Sequence, residues 1–164
     1  MKKNLNLYLL LAVLFCFVLS CKQNTQTTLS TSEKEELQSS VLDVFNTLIN
    51  GMNEHQPEEI AKCYWNDTSL VYVAEGQITK GWEALLEKVT TFYTDSMNLS
   101  NKIVLDEILV DVLDKNYSVV TANGIISFLD DSGELRDMKY SITDIFKSDG
   151  NSWVIINEHE SISF

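Results

Sequence analysis

TDIFKSDGNSWVIINEHES, running from Thr143 to Ser161, holds the pattern on which the fold turns. Two β-rich pieces flank Ser148-Asp149-Gly150-Asn151, and an Asp-Gly step between strand-like runs is hairpin turn chemistry. Toward the N-terminus the same texture recurs. β-rich runs occupy about Lys102–Leu113, Tyr117–Leu129, Glu134–Phe146 and Ser152–Ser163, and Asp114-Lys115-Asn116 and Asp130-Asp131-Ser132-Gly133 separate the earlier ones. They predict a four-stranded antiparallel meander. On the last run, strict alternation puts Trp153, Ile155, Asn157, His159 and Ser161 on one face, with Val154, Ile156, Glu158 and Glu160 on the other. Carboxylates favour water, which places Asn157 and His159 inward.

Upstream of Lys102 the period changes to that of helices. Ser32-x-x-Glu35 is a capping-box pattern, and Leu37, Val41, Val44, Phe45, Leu48, Ile49 and Met52 then fall on one helical face. Pro57, followed by Glu58 and Glu59, suits the first turn of a short second helix whose inner residues are Ile60, Cys63 and Tyr64. Asp67 to Ala74 reads as a strand. A third helix follows Gly81, with Trp82, Leu85, Leu86, Val89, Phe92 and Tyr93 on one side. Helices grouped first and strands grouped last predict an α+β fold: three N-terminal helices packed on one face of a curved, mostly antiparallel sheet. In the run from Lys102, Ile103 and Leu105 fall on one side and Val104, Ile108, Val110 and Val112 on the other. A strand apolar on both faces predicts that the outer sheet face pairs with a second subunit, as a homodimer.

The first twenty residues stand apart. Lys2 and Lys3 precede an apolar run from Leu7 to Leu19, too short for a membrane span of about 20 residues and suited to a secretory signal. Val18-Leu19-Ser20-Cys21 resembles a bacterial lipobox, which implies lipidation at Cys21 and an exported protein anchored on the periplasmic or surface face of the cell envelope. The expected division is residues 1–20 as signal, 21–32 as lipidated N-terminus and polar tether, and 33–164 as the folded domain. Removing the leader leaves ten basic residues against 24 acidic ones, a net of −14. Such a surface argues against nucleic acid and against adsorption to anionic lipid, so membrane contact is expected through the anchor alone. Only Cys63 then remains in the folded part, which excludes an internal disulfide and reads as a buried small hydrophobe.

The order of elements resembles the nuclear-transport-factor-2-like superfamily, and most closely its SnoaL-like and ketosteroid-isomerase-like branches. The residues that carry the resemblance are Ile60-Ala61-Lys62-Cys63-Tyr64-Trp65-Asn66-Asp67, Gly81, Thr143-Asp144-Ile145-Phe146-Lys147, Asp149-Gly150-x-x-Trp153 and His159-Glu160-Ser161. It covers Glu33 to Phe164 and implies a cone-shaped fold enclosing a mostly apolar pocket, with functions ranging from isomerases, cyclases and dehydratases to binding and assembly modules. Matched through Asn66-Asp67, the carboxylate base of the isomerases falls on Tyr72 and their tyrosine donor on Leu48. A phenol with a reference pKa near 10 is a poor base at neutrality and leucine donates nothing, which argues against that activity.

The remaining candidates for catalysis are His159, Asp144 and Tyr72; for lining a ligand pocket, Trp65, Tyr72, Trp82, Thr143, Asn157 and His159. His159 is suited to acid–base work near neutrality, or is satisfied by Thr143 or Asp144 on the neighbouring strand. Asp144 reads as a solvated edge charge. His55 and His159 have no spaced cysteine partners, so no metal site is expected, and no cofactor motif occurs. Three functions follow: binding of a small, largely apolar molecule in the cone; an isomerase, cyclase or dehydratase using His159 with Asp144 or Tyr72; or an assembly module working through the outer sheet face. A pocket of several hundred cubic ångströms is the size expected for the first two, and a cone filled by side chains for the third.

Overall fold

The computed structural model describes residues 29–95, 100–130 and 132–163; the leader, Cys21 and most of the tether lie outside them. Helix α1 runs Thr31–Asn53, α2 Pro57–Lys62 and α3 Trp82–Thr94. Strands β1 (Val71–Ala74) and β2 (Gln77–Lys80) precede α3, and β3 (Lys102–Val112), β4 (Tyr117–Leu129), β5 (Leu135–Ser148) and β6 (Trp153–Ser163) follow it. They form one sheet in the order β2-β1-β6-β5-β4-β3, antiparallel except where β1 lies parallel to β6. Among the described residues no helix is long and apolar enough to cross a membrane.

Each element begins where side-chain chemistry allows it. The capping box of α1 is Ser30 with Glu33 instead of Ser32 with Glu35. The Glu33 amide donates to Ser30 Oγ at 3.3 Å and the Ser30 amide to Glu33 Oε2 at 2.8 Å, so the helix starts two residues earlier than the spacing of Ser32 suggested. The expected strand from Asp67 shortens to Val71–Ala74, because the Asp67 carboxylate accepts from the Ser69 amide at 2.7 Å and turns the chain first. Strand β2 was not anticipated. Glu75 and Gly76 both take positive φ, the two-residue turn that matches strand twist, and fold Gln77–Lys80 back on β1.

Helix α1 lays Val41, Phe45, Leu48, Ile49 and Met52 on the inner sheet face, where Val120, Ala122, Ile142, Phe146 and Ile155 meet them. Fully burying a side chain such as Phe45 or Leu48 contributes about 1.5–3 kcal/mol. The helix also covers the β3 edge. Asn53 donates to the Ile103 carbonyl and accepts from its amide, at 2.9 and 2.7 Å, and Gln38 donates to the Val110 carbonyl at 2.9 Å.

Two β-bulges break strict alternation. Asp106 is the extra residue in β3, between Leu105 opposite Gly124 and Glu107 opposite Asn123. In β6, Ile156 is extra, between Ile155 opposite Phe146 and Asn157 opposite Ile145. Each insertion switches the strand's phase. In β3, Ile103, Leu105, Ile108, Val110 and Val112 therefore share the inner face, and the expected second apolar face of this strand reduces to Val104 and Leu109. In β6, Trp153 and Ile155 point inward, and beyond the bulge the inward residues become Glu158, Glu160 and Ile162. Gly124 belongs to the first bulge: a Cβ there would overlap the Val104 carbonyl oxygen and lie 2.7 Å from Leu105 Cα.

Candidate functional site

The β6 bulge corrects the expected site. His159 is exposed and pairs with Thr143 on the outer face, Asn157 pairs there with Ile145, and none of Thr143, Asn157 and His159 faces the cone. The carboxyls take the inward positions instead. Asp144, expected at a solvated edge, and Glu158 are register partners and are both completely buried. Of the aromatic candidates only Tyr72 lines the cavity. Trp65 stacks under the Lys147 ammonium, 4.4 Å from its ring centroid, and Trp82 donates its indole N–H to the Ala61 carbonyl at 3.2 Å.

The cavity has a volume of about 90 Å³ and lies between α1, α3 and the inner sheet face. Tyr64, Tyr72, Tyr93, Tyr140 and Glu160 give it polarity among Met52, Ile60, Val89 and Ile103. Two hydrogen-bonded groups organise these side chains. Tyr72 donates to Glu160 Oε2 at 2.8 Å and Tyr140 to Glu160 Oε1 at 2.7 Å. Behind them Tyr64 donates to Glu158 Oε2 at 2.5 Å. Both Asp144 oxygens and Glu158 Oε1 are buried without a conventional donor. That arrangement is satisfied when one of the two acids keeps its proton and gives it to the other, as like charges so placed cannot both ionise.

Burial sets the electrostatics. It pushes Asp144 and Glu158 well above the usual carboxylate range, with repulsion from Glu160 adding to both and from Asp144 adding to Glu158. Glu160 also rises through burial, opposed by its two phenol donors and by Lys88. Burial and the neighbouring acids hold the Tyr64, Tyr72, Tyr93 and Tyr140 phenols protonated, as donors and not bases. Cys63 is buried and its thiol is pushed up to about 12, chiefly by burial, which removes it as a nucleophile. With both oxygens engaged, Glu160 is an anchored negative charge more than a free base. No cluster of metal-ligating side chains occurs among the described residues.

Tyr64 was legible as an inward helical residue. Tyr140, Glu158, Glu160, Lys88 and the polar role of Tyr93 were not. An unpaired residue in β6 has no sequence mark of its own, and Glu158-His159-Glu160 reads as readily with its carboxylates outward.

The sequence model of the calcium/calmodulin-dependent protein kinase II association domain matches residues 37–163, from the first buried turn of α1 to the end of β6. The chain belongs to that association-domain family. Solved structures agree on the architecture. A candidate association domain from Xanthomonas campestris is 21% identical, with a TM-score of 0.63 over 84% of this chain and 94% of its own. The association domain of the Caenorhabditis elegans kinase is 16% identical, with a TM-score of 0.64 over 78% and 97%. A ketosteroid isomerase-like protein from Erwinia carotovora is 14% identical, with a TM-score of 0.65 over 77% and 96%. At these identities the likeness is one of fold, and the fold is the nuclear-transport-factor-2-like cone that the sequence resembled. No functionally curated protein matches it in sequence.

Proposed function

We propose that the chain is an envelope-anchored association module, tethered through lipid on Cys21, that pairs with a second copy of itself through the outer face of its sheet. The observation that supports this most directly is the charge pattern of that face. Leu109, Thr121, Thr143, His159, Val73 and Ile78 form a row in register across all six strands, without an Asp, Glu, Lys or Arg. In the adjoining row Val119, Ile145, Asn157 and Val71 are also uncharged, and its two charges, Asp111 and Lys80, stand on the edge strands and are opposite in sign. The helices pack on the opposite face. Ile78 and Leu109 stand 65% and 57% exposed at the two ends of the row. For a mature chain of net −14, the middle of this face is where two copies approach with the fewest carboxylates set against each other. Eight residues from each of β3 to β6 and four from each of β1 and β2 give a footprint of roughly 600 Å² before side-chain relief, close to the about 800 Å² per partner of a standard interface.

The cavity points the same way. Its 90 Å³ is well short of the roughly 300–1,000 Å³ of ordinary ligand pockets, so a sizeable apolar ligand finds no room. Enzymatic readings built on His159 lose their geometry, since that ring lies on the outer face. Sedimentation velocity of residues 22–164 tests the assembly. Self-association is expected at tens of micromolar, and Thr143→Glu, which sets like charges near the two-fold axis, should weaken it at least tenfold with an unchanged circular dichroism spectrum. A wild-type chain that stays monomeric at those concentrations sinks the proposal.

A further inference from the structure

We infer that the cone cavity is a recognition site for a small alkylammonium group, presented by a soluble amine or by a lipid headgroup. This site is on the inner sheet face and does not depend on the assembly proposed for the outer one.

The walls define the chemistry. Glu160 presents a carboxyl fixed from both sides by Tyr72 and Tyr140, and Glu75 adds a second acid at the rim. One layer deeper, Tyr64 turns its hydroxyl away from the cavity to Glu158, so Glu160 is the carboxyl that the interior presents. The sole arginine is elsewhere: Arg136 pairs with Asp130 and Glu134, both at 2.7 Å, beside the β4–β5 turn. An anion would find only Lys88. Aromatic rings of Tyr72, Phe92 and Tyr93 line the same space, and such rings with a carboxylate are how alkylammonium ions are held.

A second observation comes from Lys88. Its ammonium sits over the Tyr72 ring, 5.2 Å from the centroid, so the chain already places a cation at the cavity's aromatic wall. An incoming ammonium competes with it. Size narrows the ligand further. A cavity of about 150 Å³ accommodates benzene, so 90 Å³ suits a group of about four non-hydrogen atoms, such as trimethylammonium. Phe92 and Ile162, each 39% exposed, line the cavity and offer an apolar rim along which a longer substituent leaves.

Calorimetric titration of residues 22–164 with three probes of one shape tests the inference: choline, the neutral 3,3-dimethylbutan-1-ol and the anionic 3,3-dimethylbutanoate. Choline is expected to bind at least tenfold more tightly than the alcohol, and the carboxylate more weakly still. Lys88→Met should tighten choline at least threefold, and Glu160→Gln should erase the difference between choline and the alcohol. Lys88 is half-buried on α3 and methionine keeps its apolar stem, so this variant and the probe series decide the matter even where Glu160→Gln fails to fold. Equal binding of choline and alcohol, a preference for the carboxylate, or no binding of any probe overturns the proposal. Phosphatidylcholine vesicles distinguish the sources: co-sedimentation identifies a lipid headgroup, and choline binding without it a soluble amine. Thr143→Glu should leave choline affinity unchanged, which separates failure of the dimer from failure of this site.

Discussion

At Tyr64 a phenol proton points at Glu158 across 2.5 Å, and Asp144 faces the same carboxyl from the next strand, where the two acids share a proton. Burial raises both acids above the ordinary values of 3.8 and 4.5 that they regain on unfolding. The folded state therefore retains protons that the unfolded chain releases, and stability falls as pH rises above those values, by about 1.4 kcal/mol per pH unit for each retained proton. The contribution is fully present below about pH 4 and is lost progressively on the way to the folded pKa values. Urea unfolding should show a midpoint that drops between pH 5 and pH 8, and Asp144→Asn should flatten that drop. A wild-type midpoint that climbs over this interval would contradict the shared-proton arrangement. Exposed carboxylates with lowered values, such as Glu33 and Asp149, act in the opposite sense only at more acid pH. Gly124 is a second position where one side chain decides. Adding a methyl group drives it into the Val104 carbonyl and the Leu105 backbone, so Gly124→Ala should cost about 3 kcal/mol in chemical unfolding.

Among the elements, hydrophobic period was a sound guide to existence and type. The four runs of the meander appear within two residues of their expected ends, and the α1 face from Val41 to Met52 is buried. What period could not supply was phase. Alternation carries the inward label along a strand only while every residue is paired, and one unpaired residue reverses everything beyond it. Asp106 did this in β3 and Ile156 in β6. The second reversal exchanged His159 for Glu158 and Glu160, so the candidate site was misread although its strand was correctly located. The Glu75-Gly76 turn was legible in principle, as two residues between β-branched runs, but four-residue strands give too little alternation to stand out.

For the molecule as a whole, charge and attachment are the governing quantities. A mature chain carrying −14 would be held off anionic lipid, so its position at a bilayer would depend on the acyl chains proposed at Cys21. Cys21→Ser should release the protein from the membrane fraction and block processing of the leader, as read by fractionation and intact mass; retention of both would refute the lipid anchor. The proposed dimer and the proposed tether would reinforce each other, because two anchored copies would share one plane and meet at a higher local concentration than free ones.

The parallel pairing of β1 with β6 has a consequence for how the molecule comes into being. Every other pairing joins strands consecutive in the chain, but Tyr72 meets Glu158 only after nearly the whole domain has been laid down. Closing so long a loop is slow compared with zipping a hairpin. The cone is thus completed by its last strand, and that strand carries two of its three interior acids. The chain meets the cost of burying those carboxyls at the end, when helices and meander are in place to hold them.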